Sequence, residues 1–132
     1  MDYTLTTTVD ADFDATLIAT RAQLAEVGFG VLTEIDLAAT LKTKLDVDIA
    51  PQVILGACRP PLAHAALQAE PSIGVLLPCN VVVRTLEAGR TIVEAMDPAT
   101  MVELTGNDRL ADVAADARER LSRALKALAS PA

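Results

Sequence analysis

Between Cys58 and Cys79 the chain reads CRPPLAHAALQAEPSIGVLLPC, a stretch holding both cysteines and the only histidine of 132 residues. Two thiols and an imidazole are donors suited to zinc, copper or iron, haem iron included. The spacing, Cys-x5-His and then a cysteine 15 residues on, is none of the regular metal-ligand arrangements, so only tertiary proximity could bring Cys58, His64 and Cys79 onto one ion. The same residues could serve thiol chemistry. Cys58 precedes Arg59 and the start of a predicted helix, and both features favour a thiolate. In that reading Cys58 attacks, His64 acts as base and Cys79 resolves. The competing account is simpler, since free cysteine is among the most buried residue types and a lone histidine commonly serves structure.

Arg59 offers a further use, because a guanidinium beside the exposed amides of a helix N-terminus can hold a phosphate or carboxylate. Its ordinary role would be a surface pair with one of the chain's 18 acidic residues. Asn80, beside Cys79, can donate and accept at a pocket or simply begin a strand. Glu34, Asp36, Glu94 and Asp97 lie on or beside predicted strands and read as caps and solvent-facing residues. These residues mark a location more firmly than they mark a reaction.

The elements that must position them follow from hydropathy patterns. Tyr3 to Val9 alternates with threonines at period two, a strand with one wet face. Asp10 or Asp12 then caps a helix carrying Phe13, Leu17, Leu24 and Val27, interrupted at Thr20 and ended by Gly28. In the next strand Phe29, Val31, Thr33 and Ile35 are expected on one face. Asp36 caps a short helix with Leu37, Leu41 and Leu45. Val53 to Cys58 is a continuous small and apolar run, expected to be a strand buried on both faces. Pro60 and Pro61 suit the first turn of a helix running to about Glu70, where Pro71 stops it.

Asn80 to Leu86 and Thr91 to Met96 form the clearest hairpin, joined by the four residues Glu87 to Arg90. Asp97-Pro98 starts a short helix that Thr105-Gly106-Asn107 breaks. The last helix lines up Leu110, Ala117, Leu121, Leu125 and Leu128 on one side, with Asp116–Arg120 and Glu119–Arg123 spaced as i,i+4 pairs. Helices separating the first strands, followed by a hairpin, predict an α+β fold with a mainly antiparallel sheet and helices packed on one side. No Gly-rich phosphate loop follows the first strand, which argues against a doubly wound parallel sheet.

Composition sets the bounds. A chain of 132 residues is one domain's worth, 1–132, and can bury roughly two thirds of its unfolded surface. Hydrophobic residues make up 52% but aromatics only 2%, so the core must be aliphatic, and the side chains that stack nucleobases are scarce. A net charge of −7 repels phosphate backbones and anionic lipid, which excludes nucleic acid and membrane as expected partners. The acidic, alternating N-terminus is not a secretory signal, so a cytoplasmic location with reduced thiols is expected.

The segments GFGVLTEID (28–36), ILGACRPPLAHAALQAEPSIGVLLPCNVVV (54–83) and MDP (96–98) together resemble the bacterial and archaeal family called domain of unknown function 302, over nearly the whole chain. Arg59 departs from that pattern, where asparagine is the expected residue. The resemblance implies a TATA-binding-protein-like β-α-β(4)-α plan with a curved antiparallel sheet, and homodimers; it implies no activity. Three readings follow for the Cys58–Asn80 segment. The first is a homodimeric binding module whose pocket, built from Cys58, Arg59, His64, Cys79 and Asn80, holds a small molecule or metal. The second is a thiol enzyme built on Cys58, and the third an assembly partner using its Ala- and Leu-rich helices.

Overall fold

The computed structural model describes residues 2–129. Five strands, β1 (Thr4–Val9), β2 (Gly30–Asp36), β3 (Gln52–Cys58), β4 (Cys79–Glu87) and β5 (Arg90–Met96), form one sheet in the order β1-β5-β4-β3-β2. Every neighbouring pair is antiparallel. The helices are α1 (Phe13–Glu26), α2 (Leu37–Leu45), α3 (Pro60–Ala69), α4 (Ala99–Thr105) and α5 (Ala111–Ala129), with a 3₁₀ segment at Pro71–Leu76 and a 3₁₀ turn at Asp108–Leu110. The fold is α+β, as the order of patterns predicts.

The core lies between one face of the sheet and the pair α1 and α5. Leu55, Ala57, Val81, Val83, Val93 and Ala95 point into it from the strands, and Leu24, Ala117 and Leu121 from the helices. Side chains that meet across antiparallel strands share a face, and the register sets Leu55 against Val81 and Val83 against Val93. The other face carries the alternate residues, among them Ile54, Val82, Arg84 and Glu94. There Arg84 Nε donates to Glu94 Oε1 at 2.7 Å. Val53–Cys58 is thus fully buried on one face only: Val53, Leu55 and Ala57 are buried, while on the other Gly56 is buried but Ile54 is half-buried.

A bulge alters β2. Val31 faces Ala57, but the next paired residue, Thr33, faces Gly56, leaving Leu32 as the extra residue. An inserted residue reverses the facing of everything beyond it. Hence Phe29 and Val31 do not share a face with Thr33 and Ile35. Glu34 turns instead toward α1, where it pairs with Arg21.

In α1 the interruption at Thr20 is part of the buried stripe: Thr16, Thr20 and Leu24 are all buried. The Thr16 hydroxyl donates to the Asp12 carbonyl and that of Thr20 to the Thr16 carbonyl, each at 2.7 Å. Back-bonding of this kind lets threonine enter an apolar surface with its hydroxyl satisfied. The Asp12 carboxylate caps the helix by accepting from the Ala15 amide, and Asp36 caps α2 through Ala39 in the same way.

The hairpin turn is tighter than the sequence suggests. Glu87 and Arg90 pair across it, leaving only Ala88-Gly89 at the tip, with a register shift between Thr85 and Glu87. Both expected pairs on α5 form, Arg120 to Asp116 at 2.9 Å and Arg123 to Glu119 at 3.3 Å. Asp97 is buried rather than solvent-facing; its carboxylate accepts from the Ala99 amide and from Arg118 Nε. No helix among the described residues is long and apolar enough to cross a membrane.

Candidate functional site

β3 ends at Cys58 and β4 begins at Cys79, and the antiparallel register puts Ala57 directly opposite Cys79. The two cysteines, 21 positions apart in sequence, therefore meet at one edge of the central strands, where both wall a single cavity. Cys79 is buried and Cys58 half-buried, and both are free thiols. Apart from Arg59 the rest of the wall is apolar and includes Phe29, Leu62, Met101 and Ala117. The free volume of the cavity is about 30 Å³, room for little more than a water molecule or two. It is a tight slot as it stands.

Arg59 is the one charged residue in that wall. It precedes α3 and serves as its N-cap without a side-chain hydrogen bond. The guanidinium stem lies across Gly28. That glycine ends α1 in a Schellman turn: Phe29 N–H donates to the Leu24 carbonyl at 2.9 Å and Gly28 N–H to that of Ala25 at 3.0 Å. Gly28 holds φ +86°, and a Cβ there would stand 3.1 Å from Arg59 Nε. The turn thus needs glycine both for its backbone and for the room it leaves Arg59. Arg120 braces the same corner, donating to the Val27 carbonyl at 3.0 Å while paired with Asp116.

The start of α3 contributes no free amides, contrary to the expectation from its position. Pro60 and Pro61 have no N–H, and the amides of Leu62 and Ala63 both donate to the Arg59 carbonyl at 3.0 Å. Any anion at this place would depend on the Arg59 side chain. The far end of α3 is tied down by Asn107, whose Nδ2 donates to the Ala69 carbonyl at 2.9 Å and to Glu70 Oε1 at 3.1 Å.

His64 and Asn80 are not brought to the cavity. Leu62, Ala63 and Ala66 form the face of α3 that lines it. His64 lies two residues from Ala66, roughly 200° around the helix, and it is exposed. Asn80 follows Cys79 on a pleated strand, so it points to the opposite face, where it is exposed across from Gly56. Among the described residues no group of three or more His, Cys, Asp and Glu side chains is placed to hold a metal ion. Cys58, His64 and Cys79 accordingly do not assemble into the ligand set their types suggest, and His64 is not positioned as a base for either thiol.

Burial, with a smaller contribution from the neighbouring Cys58, pushes the Cys79 thiol up to about 11 from an ordinary value of 9.0. Cys79 is consequently a neutral thiol at physiological pH and a poor nucleophile. The shift has a consequence for stability. The folded chain holds this proton up to about pH 11 and the unfolded chain releases it near 9, so folding stability is complete below pH 9 and falls as pH rises toward 11. About two pKa units correspond to roughly 2–3 kcal/mol. Denaturant unfolding of wild type and Cys79→Ala between pH 8 and 11 should show a steeper alkaline loss in wild type; parallel curves would contradict the assignment.

Sequence patterns pointed to Cys58, Arg59 and Cys79 but not to Phe29, Leu62, Ala66, Met101 or Ala117. Each of those is an ordinary apolar residue of its own element, and only the packing of α3 and α5 over the sheet brings them together. The family model described as "Domain of unknown function DUF302" matches residues 5–128. No curated protein matches the chain. Among solved structures the chain is similar to the crystal structure of an uncharacterised conserved DUF302 protein from Bacillus stearothermophilus, with a TM-score of 0.88 and 29% identity, covering 97% of this chain and 99% of that one. A match over almost the full length of the sheet and its helices settles the kinship: the chain belongs to the DUF302 family.

Proposed function

We propose that this protein is a cytoplasmic, homodimeric binding module whose site is the slot between Cys58, Arg59 and Cys79, and that its ligand is a small, largely apolar molecule. The observation that carries the reading is the slot itself, an apolar cavity with an open mouth that gathers both cysteines and one arginine. Ligand sites are typically concave, mostly apolar and furnished with a few polar groups. Cys58 and Cys79 act in this reading as wall residues.

A thin aliphatic chain needs less widening of so tight a space than a ring does. Titrating 1-hexanol into ¹⁵N-labelled protein tests the proposal. Saturable shifts are expected at Ala57, Leu62, Ala63 and Cys79, and they should vanish in Ala63→Leu, which fills the slot from its half-buried rim. Shifts scattered over the surface, or unaffected by that substitution, would refute it.

The homodimer is supported by exposed apolar side chains around edge strand β2. Ile35, Leu45, Val47 and Ile49 all stand in solvent on the β2–α2 side. A second copy covering them would remove apolar surface from water and protect an open strand edge.

A further inference from the structure

Eight arginines occur in the chain, and seven of them have a partner. Arg21 pairs with Glu34, Arg84 with Glu94, Arg90 with Glu87 and Asp10, Arg118 with Asp97, Arg120 with Asp116, and Arg123 with Glu119. Arg109 donates to the Gln68 carbonyl. Of the eight arginines, all among the described residues, only Arg59 has neither a side-chain hydrogen bond nor an ion pair, in a protein with 18 acidic residues. It is also half-buried and is the single charged group in the wall of the slot.

No buried side-chain nitrogen lacks a partner among the described residues, so the Arg59 guanidinium reaches solvent and is open to an anion arriving from outside. The surroundings limit what that anion can be. The first-turn amides of α3 are absent or already used by the Arg59 carbonyl, so there is no backbone cradle of the kind that receives phosphate. Arg120 reaches the same corner, its Nη1 3.7 Å and Arg59 Nε 3.1 Å from where a Gly28 Cβ would stand, but its charge is taken by Asp116. One fork-shaped cation in the wall of an otherwise apolar slot matches one planar carboxylate on an aliphatic tail. The overall charge of −7 points the same way, since a monoanion meets less repulsion than a dianion.

From these features we infer that the ligand of the slot is an aliphatic monocarboxylate, its carboxylate held by Arg59 and its tail lying between Leu62, Met101 and Cys79. The inference rests on the reading of the slot as a binding site and adds to it the class of molecule bound. The aliphatic stem of Arg59 packed on Gly28 holds the guanidinium where the carboxylate must arrive.

The test compares sodium hexanoate with 1-hexanol, two probes of equal tail length, by NMR titration of wild type, Arg59→Gln and Arg59→Lys. Wild type should bind hexanoate at least tenfold more tightly than hexanol. Arg59→Gln should bring the two to equal affinity, and Arg59→Lys should keep part of the preference. Equal affinities in wild type, or a preference that survives Arg59→Gln, would overturn the carboxylate inference while leaving a binding slot for neutral chains. If neither probe perturbs the slot residues, the binding reading fails and takes the inference with it. Unchanged thermal unfolding of the two variants separates lost recognition from lost fold.

Discussion

Alanine at Gly56 will destabilise the fold by about 1–3 kcal/mol, the usual cost of overpacking a well-filled site, and will disturb the slot as well. Gly56 lies in β3, between β2 and β4, directly opposite Asn80 and beside the bulge of β2. A Cβ there would run into the Thr33 hydroxyl and stand 2.8 Å from Pro78 Cγ. Thr33 sits on an edge strand and its hydroxyl can rotate away. The proline ring cannot, and Pro78 walls the slot immediately before Cys79. Relief must therefore come from moving the chain that delivers Cys79, which couples stability to the shape of the site. The clash has two sources, so Gly56→Ala/Thr33→Ala should recover only part of the lost stability in denaturant titrations. Full recovery would show that Pro78 is not a barrier, and an unperturbed single variant would show that β3 has slack.

Leu121→Asp will leave no folded protein. Leu121 is 1% exposed on the face of α5 turned toward the sheet, within the cluster that includes Leu55, Val83 and Leu24. Truncation to alanine there is expected to cost about 2–5 kcal/mol. A buried carboxylate with no partner adds its desolvation cost on top. Small domains hold only about 5–15 kcal/mol in total. Circular dichroism should show a largely unfolded chain. Ile35→Asp, an exposed position, should instead stay folded and turn a two-chain species into a single chain by light scattering. A folded but monomeric Leu121→Asp would return the α5 stripe to the role of an assembly surface, as its sequence pattern alone allows.

The α5 stripe shows how far a pattern carries. Its period identifies a helix with one apolar side correctly, but it cannot say whether that side meets the protein's own sheet or another copy. The alternation in β1 was equally legible, because Leu5 and Val9 pack against the core while Thr6 is exposed. In β2 the same alternation misleads after Val31, since the extra residue Leu32 carries no local signal and reverses the facing of Thr33 and Ile35. Thr20 reads as a break in α1 only until its hydroxyl is seen to bond the preceding turn.

For the site, the end of one strand at Cys58 and the start of another at Cys79 made their meeting plausible, and antiparallel pairing brings it about. The absence of His64 was also readable in principle: the Leu62–Ala66 stripe faces the core, and 100° per residue carries His64 out of it. The lone standing of Arg59 was not readable. Which of 18 acids reaches which arginine is decided by tertiary placement, and no spacing along the chain reports it.

Binding here requires an apolar chain to occupy the slot, and intermolecular NOEs from 1-hexanol examine that most directly. With hexanol at saturation, its terminal methyl should show cross-peaks to the methyl groups of Ala63, Ala66 and Met101, which surround the interior in the folded chain. None of these should persist in Ala63→Leu. Cross-peaks confined to exposed residues such as Ile35, Leu45 or Val75 would place the probe on the surface and contradict a binding site between the two cysteines.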